Sequence, residues 1–152
     1  MDNRLRVCLM WWLSFIESYV PRPVPYSLEC SPCVVSYSDG EGNMAGVGAA
    51  LWCPGLPRPL AVCSEVPVVL RQYWLSAQPS KDRFNDIFLV EAVGPLLLLK
   101  TFPNILKACL WLHFIDNTAA EASLIRGASS KDHGDHVVGL TWSIVQQKLI
   151  WP

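Results

Sequence analysis

Three carboxylates stand where acids are costly or out of place. Asp39 follows the apolar run Val34-Val35-Ser36-Tyr37-Ser38, Asp116 follows the run from Ala108 to Ile115, and Glu91 is embedded among Phe88, Leu89, Val90, Ala92 and Val93. A helix that is apolar nearly all round must be largely buried, and a buried carboxylate is costly unless something compensates it. If the two apolar runs are neighbouring parallel strands, Asp39 and Asp116 project at one sheet edge, which is where open sheets hold their ligands. Three acids meeting there repel one another and raise their own pKa values unless a divalent cation neutralises them. Oxygen-only ligands select Mg²⁺ or Mn²⁺. Such a set suits two-metal phosphodiester hydrolysis, in which paired ions activate water and stabilise the leaving oxygen. Taken singly, each acid has a plainer reading: Asp39 before Gly40 as a turn residue, Asp116-Asn117 as a helix cap, Glu91 as a solvent-facing side chain. It is the joint placement that points to chemistry.

The elements that would position these acids can be read from periodicity and punctuation. Val34 to Ser38 reads as a strand ending at Asp39, with Gly40-Glu41-Gly42-Asn43 as a turn. Ala45 to Trp52 and Leu60 to Val66 follow as strands around Pro54-Gly55-Leu56-Pro57, giving an antiparallel meander. A looser polar stretch, Gln72 to Arg83, leads to a helix over Asn85 to Lys100, in which Gly94-Pro95 predicts a kink. The nearly continuous apolar run Ala108 to Ile115 reads as a central strand covered on both faces. Asn117-Thr118 caps a helix over Ala119 to Arg126, Gly127 ends it, and Asp135 is placed to cap a last helix from His136 to about Leu149. The right-handed crossover rule then sets the Ala108 strand parallel to, and beside, the Val34 strand. The expected class is α/β: a mixed sheet, three antiparallel strands plus a parallel one, flanked by helices.

Length and composition narrow the field. With 152 residues, 51% hydrophobic and 16% charged, the chain suits one domain and is far from the composition of a disordered segment. The formal charge of −1 requires that any nucleic-acid contact come from a local patch. Val7 to Val20 and Ile87 to Leu99 are both too short for a spanning helix and each contains a glutamate, so no membrane partner is expected, and a cytoplasmic or nuclear location follows. Leu5 to Tyr19, with Trp11, Trp12 and Phe15, reads as a helical appendage, and Pro21-Arg22-Pro23-Val24-Pro25 as a stiff linker, so residues 1–32 are set apart from a domain over 33–152. The six cysteines are expected to be reduced, since a chain this apolar needs no disulfide framework, and a zinc site is not expected, since Cys30-Ser31-Pro32-Cys33 has no second pair at zinc spacing. His113 reads as a core histidine, and Asp132-His133-Gly134-Asp135-His136 as a solvated connection.

The residues carry a resemblance. Ser36-Tyr37-Ser38-Asp39-Gly40-Glu41-Gly42 followed by Ala45-Gly46-Val47-Gly48-Ala49-Ala50-Leu51 resembles the first strand and hairpin of the ribonuclease H-like fold. Ile87-Phe88-Leu89-Val90-Glu91-Ala92 is similar to that family's first helix with its glutamate, and His113-Phe114-Ile115-Asp116-Asn117-Thr118-Ala119-Ala120 to its fourth strand with the second aspartate. Leu124-Ile125-Arg126-Gly127 and the Trp-rich start look like the ribonuclease H region of retroelement reverse-transcriptase polyproteins. The resemblance implies that Asp39, Glu91 and Asp116 are catalytic metal ligands for Mg²⁺ or Mn²⁺ in an endonuclease cutting the RNA strand of RNA:DNA hybrids. It implies as partners the hybrid and a reverse-transcriptase polymerase domain in the same or a parent polyprotein. The family's last strand and helix, with a fourth acid, are expected to be missing here. Asn43, Asn117, Arg126 and Lys131 are candidate substrate contacts, since hybrids are read through 2′-hydroxyls and phosphates. The rival is a noncatalytic or degenerate module of the same fold that binds nucleic acid or a polymerase. A transposase-like order is disfavoured because Glu91 precedes Asp116, and a proofreading Asp-x-Glu pair because Gly40 and Gly42 hold Glu41 poorly.

Overall fold

The structure, a computed structural model, describes residues 32–41, 45–76, 87–129 and 132–148, together with Met10, Leu13 and Glu17. The elements run β1 (Cys33–Glu41), β2 (Gly46–Trp52), β3 (Leu60–Glu65), α1 (Val68–Ser76), α2 (Ile87–Thr101), β4 (Leu110–Ile115), α3 (Thr118–Arg126) and α4 (Asp132–Gln147). The strands form one mixed sheet in the order β3-β2-β1-β4. β1 and β2, and β2 and β3, are antiparallel, while β1 and β4 are parallel with Ser36 opposite His113 and Ser38 opposite Ile115. The long crossover through α2 allows that parallel pair to close, and it places Asp39 and Asp116 at neighbouring strand ends as the sequence suggests.

The period of two along the strands sends one set of side chains under the helices. Val34, Ala49, Leu51 and Trp111 pack with Leu98 and Leu99 of α2 and Ile144 and Val145 of α4. Val47 packs with Leu89 and Val90 of α2, Trp74 of α1, Ala120 of α3 and Val137 of α4. α2 is apolar nearly all round because the sheet, α3 and α4 enclose it, and it continues as one helix through the buried Pro95. Asn117 caps α3, its Oδ1 accepting from the Ala119 and Ala120 amides at 3.1 and 3.0 Å, and Gly127 ends it in a left-handed turn.

Four details depart from expectation. β1 continues through Gly40 to Glu41, paired with Val47 and Gly46, rather than turning after Asp39. α1 occupies Val68–Ser76, where no helix was expected; its Val68-Val69-Leu70 start has little helical patterning, and the burial of Trp74 against Val47 and Leu89 holds it. β4 begins at Leu110, two residues after Ala108, whose φ of 53° lies outside strand geometry, and among the described strands it lies at the sheet edge with Leu112 and Phe114 exposed, not at the centre covered on both faces as its apolar run suggested. α4 begins at Asp132, so Asp135 lies inside it and accepts from the Ser129 amide instead of capping a helix at His136. The expected amino-terminal helix and linker, Asn43 and Lys131 lie outside the described residues, Met10, Leu13 and Glu17 excepted. Among the described residues no helix is long and apolar enough to cross a membrane.

Candidate metal centre

Asp39 lies near the end of β1, Asp116 directly follows β4, and Glu91 occupies the second turn of α2. One carboxylate oxygen from each lies within 4.8 Å of the others. The parallel register produces half of this convergence: with Ser38 opposite Ile115, the next residue on each strand is an aspartate. The other half needs α2 to come unusually close to β1. A Cβ at Gly40 would stand 3.0 Å from Val90 Cγ1 and 3.1 Å from the Glu91 amide nitrogen, so a side chain there would push the glutamate away. One turn further, a Cβ at Gly94 would collide with the Cβ and Oγ of Ser38. Two glycines, one on each element, thus set the helix against the strand.

Glu91 is only 3% exposed, whereas Asp39 and Asp116 are open to solvent. Burial, joined by the negative charges of Asp116 and Asp39, pushes its carboxyl up to about 7, against the opposing hydrogen bond from the Gly40 backbone. Its Oε2 is buried with no hydrogen-bond partner. A buried polar atom without a partner carries its full desolvation cost. A divalent cation held by the three carboxylates would remove both the repulsion and the orphaned oxygen, and the all-oxygen donor set fits Mg²⁺ or Mn²⁺. The residues present therefore fit a hard divalent ion, with two exposed acids facing solvent and a buried one as the inner wall.

Behind the acids the helix-covered face of the sheet carries a polar network. His113 bonds Ser36 Oγ through Nδ1 at 2.8 Å and Ser38 Oγ through Nε2 at 3.0 Å, and Trp111 Nε1 donates to Ser36 Oγ at 2.7 Å. Burial lowers His113 to about 4, so the ring is neutral; one nitrogen donates and the other accepts, and a hydroxyl can serve either. The network ties β1 to β4 one and three residues before Asp39 and thereby fixes the spacing of the two aspartates. His113 is a core histidine as expected. Its serine and tryptophan partners were not foreseen; the signal was the pair Ser36 and Ser38, at covered positions of a strand whose like-facing neighbour is Val34.

The other expected contacts are less gathered. Asn117 adjoins the centre, but its carboxamide oxygen is committed to the helix cap. Arg126 is exposed at the far end of α3, about 13 Å along the helix axis from Asn117. Residues 133–136 form the first turns of α4 rather than a loop, and His133 packs edge-on against Tyr73 with ring centroids 4.8 Å apart. Cys33, Cys53, Cys63 and Cys109 are free thiols, and burial pushes Cys109 up to about 11. Compared with known proteins, no family model matches the chain, and no curated protein or solved structure is significantly similar to it.

Proposed function

We propose that this chain is a metal-dependent phosphodiester hydrolase of the ribonuclease H type, acting on the RNA strand of RNA:DNA hybrids within a retroelement reverse transcriptase. The observation that carries the reading is the meeting of Asp39, Glu91 and Asp116 within 4.8 Å, with Glu91 buried and one of its oxygens unpartnered. The sheet order β3-β2-β1-β4, with its single parallel pair, is compatible with a ribonuclease H-like fold, and the motifs around the three acids are those that carry the resemblance. Bound Mg²⁺ or Mn²⁺ would supply an activated water and stabilise the leaving oxygen. In this role Asp39 and Asp116 meet the ions from the solvent side, Glu91 holds them from within, and Gly40 orients the Glu91 carboxylate through its amide. Asn117 and Arg126 are proposed as contacts to the hybrid backbone, together with Asn43, which lies between β1 and β2 in the sequence.

The test is cleavage of an end-labelled RNA:DNA hybrid with Mg²⁺ or Mn²⁺. The reading expects cuts confined to the RNA strand and none from Asp39→Asn. Hybrid binding without cleavage, and without uptake of either ion, would instead favour a noncatalytic module of the same fold.

A further inference from the structure

The helices whose packing is described lie on one side of the sheet, and the other side is bare among the described residues. The alternating strand positions place Val35, Tyr37, Ala50, Trp52, Ala61, Cys63, Leu112 and Phe114 there, with no Lys or Arg among them. Tyr37, Trp52, Leu112 and Phe114 are 48, 45, 44 and 49% exposed. Tyr37 stacks on Phe114 at 4.9 Å and meets Trp52 edge-on at 5.5 Å, so they form one aromatic ridge. Tyr37 and Phe114 of the ridge, with Gly48, Ala50 and Ala61, line a concavity of about 650 Å³ that ends at Asp39 and Asp116 of the metal centre. Large aromatic side chains next to a trough of small ones make a surface shaped to receive bulky apolar groups.

The chain also contains an apolar segment with no described partner. Leu5, Cys8, Trp12, Phe15 and Tyr19 recur at spacings of three and four, which gathers them on one flank of a helix over 5–19. Met10, Leu13 and Glu17, the described residues of this stretch, are helical and exposed, and the same periodicity sets them on the opposite flank. The stripe from Leu5 to Tyr19 would be about 21 Å long, against a sheet whose four strands span about 14 Å between outer axes. Residues 20–31 join the segment to β1 and, extended, reach about 40 Å, enough for any orientation on that face. A tether this short gives an effective concentration near millimolar, well above that of a second copy in dilute solution.

We propose that residues 5–19 dock through Leu5, Cys8, Trp12, Phe15 and Tyr19 onto the open aromatic face of the sheet and form its third layer. An isolated helix of this length is marginal in water, so docking is what would hold it folded. The absence of basic residues on the face disfavours a nucleic-acid strand as the occupant of the aromatic ridge.

Amide hydrogen exchange on the full chain tests this. Amides of residues 8–19 are expected to exchange at least about 100-fold more slowly than in a free peptide, independently of protein concentration, with the chain monomeric by light scattering. Trp12→Lys on the segment, and separately Leu112→Lys or Phe114→Lys on the sheet, should each abolish that protection while leaving α2 protected; Met10→Lys and Leu13→Lys should not. Free-peptide rates in the unmodified chain would overturn the proposal, as would protection lost on dilution together with a dimer, which assigns the face to a second copy. Equal loss from Met10→Lys would place the contact on the wrong flank and overturn it too. The readout involves neither metal nor cleavage, so its failure is distinct from failure of the hydrolase reading.

Discussion

Two polar groupings lie close together between the sheet and α2, and the protein treats them in opposite ways. Around His113 both ring nitrogens have hydroxyl partners, and Ser36 also receives the Trp111 indole proton, so the group is satisfied from within. Around Glu91 the Gly40 backbone and the Asp116 side chain offer hydrogen bonds, yet Oε2 has no partner and the nearest charges are negative, so the group is only partly satisfied from within. Satisfied buried networks rigidify a core, whereas half-satisfied ones are costly and mark places where a ligand belongs. The contrast separates a brace from a site.

The largest break should come from removing an exposed acid. Asp39→Asn or Asp116→Asn is expected to lower metal-dependent hybrid cleavage by about 10³-fold, since metal-assisted stabilisation of the transition state is worth several kcal/mol. The same variants should melt a few degrees higher without divalent ions, because a charge facing Glu91 is gone. Full cleavage by either variant would remove the catalytic assignment. On the brace, His113→Ala strands Ser36, Ser38 and the link between the strands, and should cost about 3 kcal/mol in urea unfolding. A loss below about 0.5 kcal/mol would mean that the network is incidental.

The two regions should also oppose each other in pH. Folded Glu91 holds its proton up to about 7 while the unfolded chain releases it near 4.5, so metal-free stability falls as pH rises through that window. Folded His113 stays neutral down to about 4 while the unfolded chain takes a proton near 6.5, so stability falls as pH drops from 6.5 towards 4. Each effect is on the order of 2 kcal/mol, and they largely cancel between about 4.5 and 6.5. Melts across pH 4–8 should show Glu91→Gln losing the decline above about 6.5 and gaining a clear decline from 6.5 towards 4, which Glu91 offsets in the unsubstituted chain; an unchanged profile would contradict the buried, uncompensated state of Glu91. A smaller effect is expected from Gly94→Ala, whose new Cβ must displace Ser38 and lift α2 from β1 at a cost of about 1–2 kcal/mol, with weaker metal binding. The smallest is Asn117→Ala, a lost cap worth about 1 kcal/mol that should leave metal affinity unchanged.

Much of this arrangement was legible in the residues. The three acids, the parallel placement of β4 beside β1 and the capped helix after Asp116 follow from apolar runs with sharp polar ends, signals that survive folding because local and tertiary preferences agree. α1 was not legible, because its helicity depends on Trp74 reaching a core formed by distant residues. The continuation of β1 through Gly40 was hidden for a related reason: a glycine after an aspartate reads as a turn, yet here its missing side chain makes room for α2. The His113 network needed the strand register, which sequence periodicity alone does not give.

The central claim is most directly tested by calorimetric titration of Mn²⁺ into the chain at pH 6 and pH 8. Saturable binding is expected at both, tighter at pH 8, with up to one proton released per site at pH 6 as Glu91 ionises and almost none at pH 8, and with binding lost in Asp116→Asn. No binding at either pH, or undiminished binding by Asp116→Asn, would contradict the claim that these three carboxylates form a metal centre.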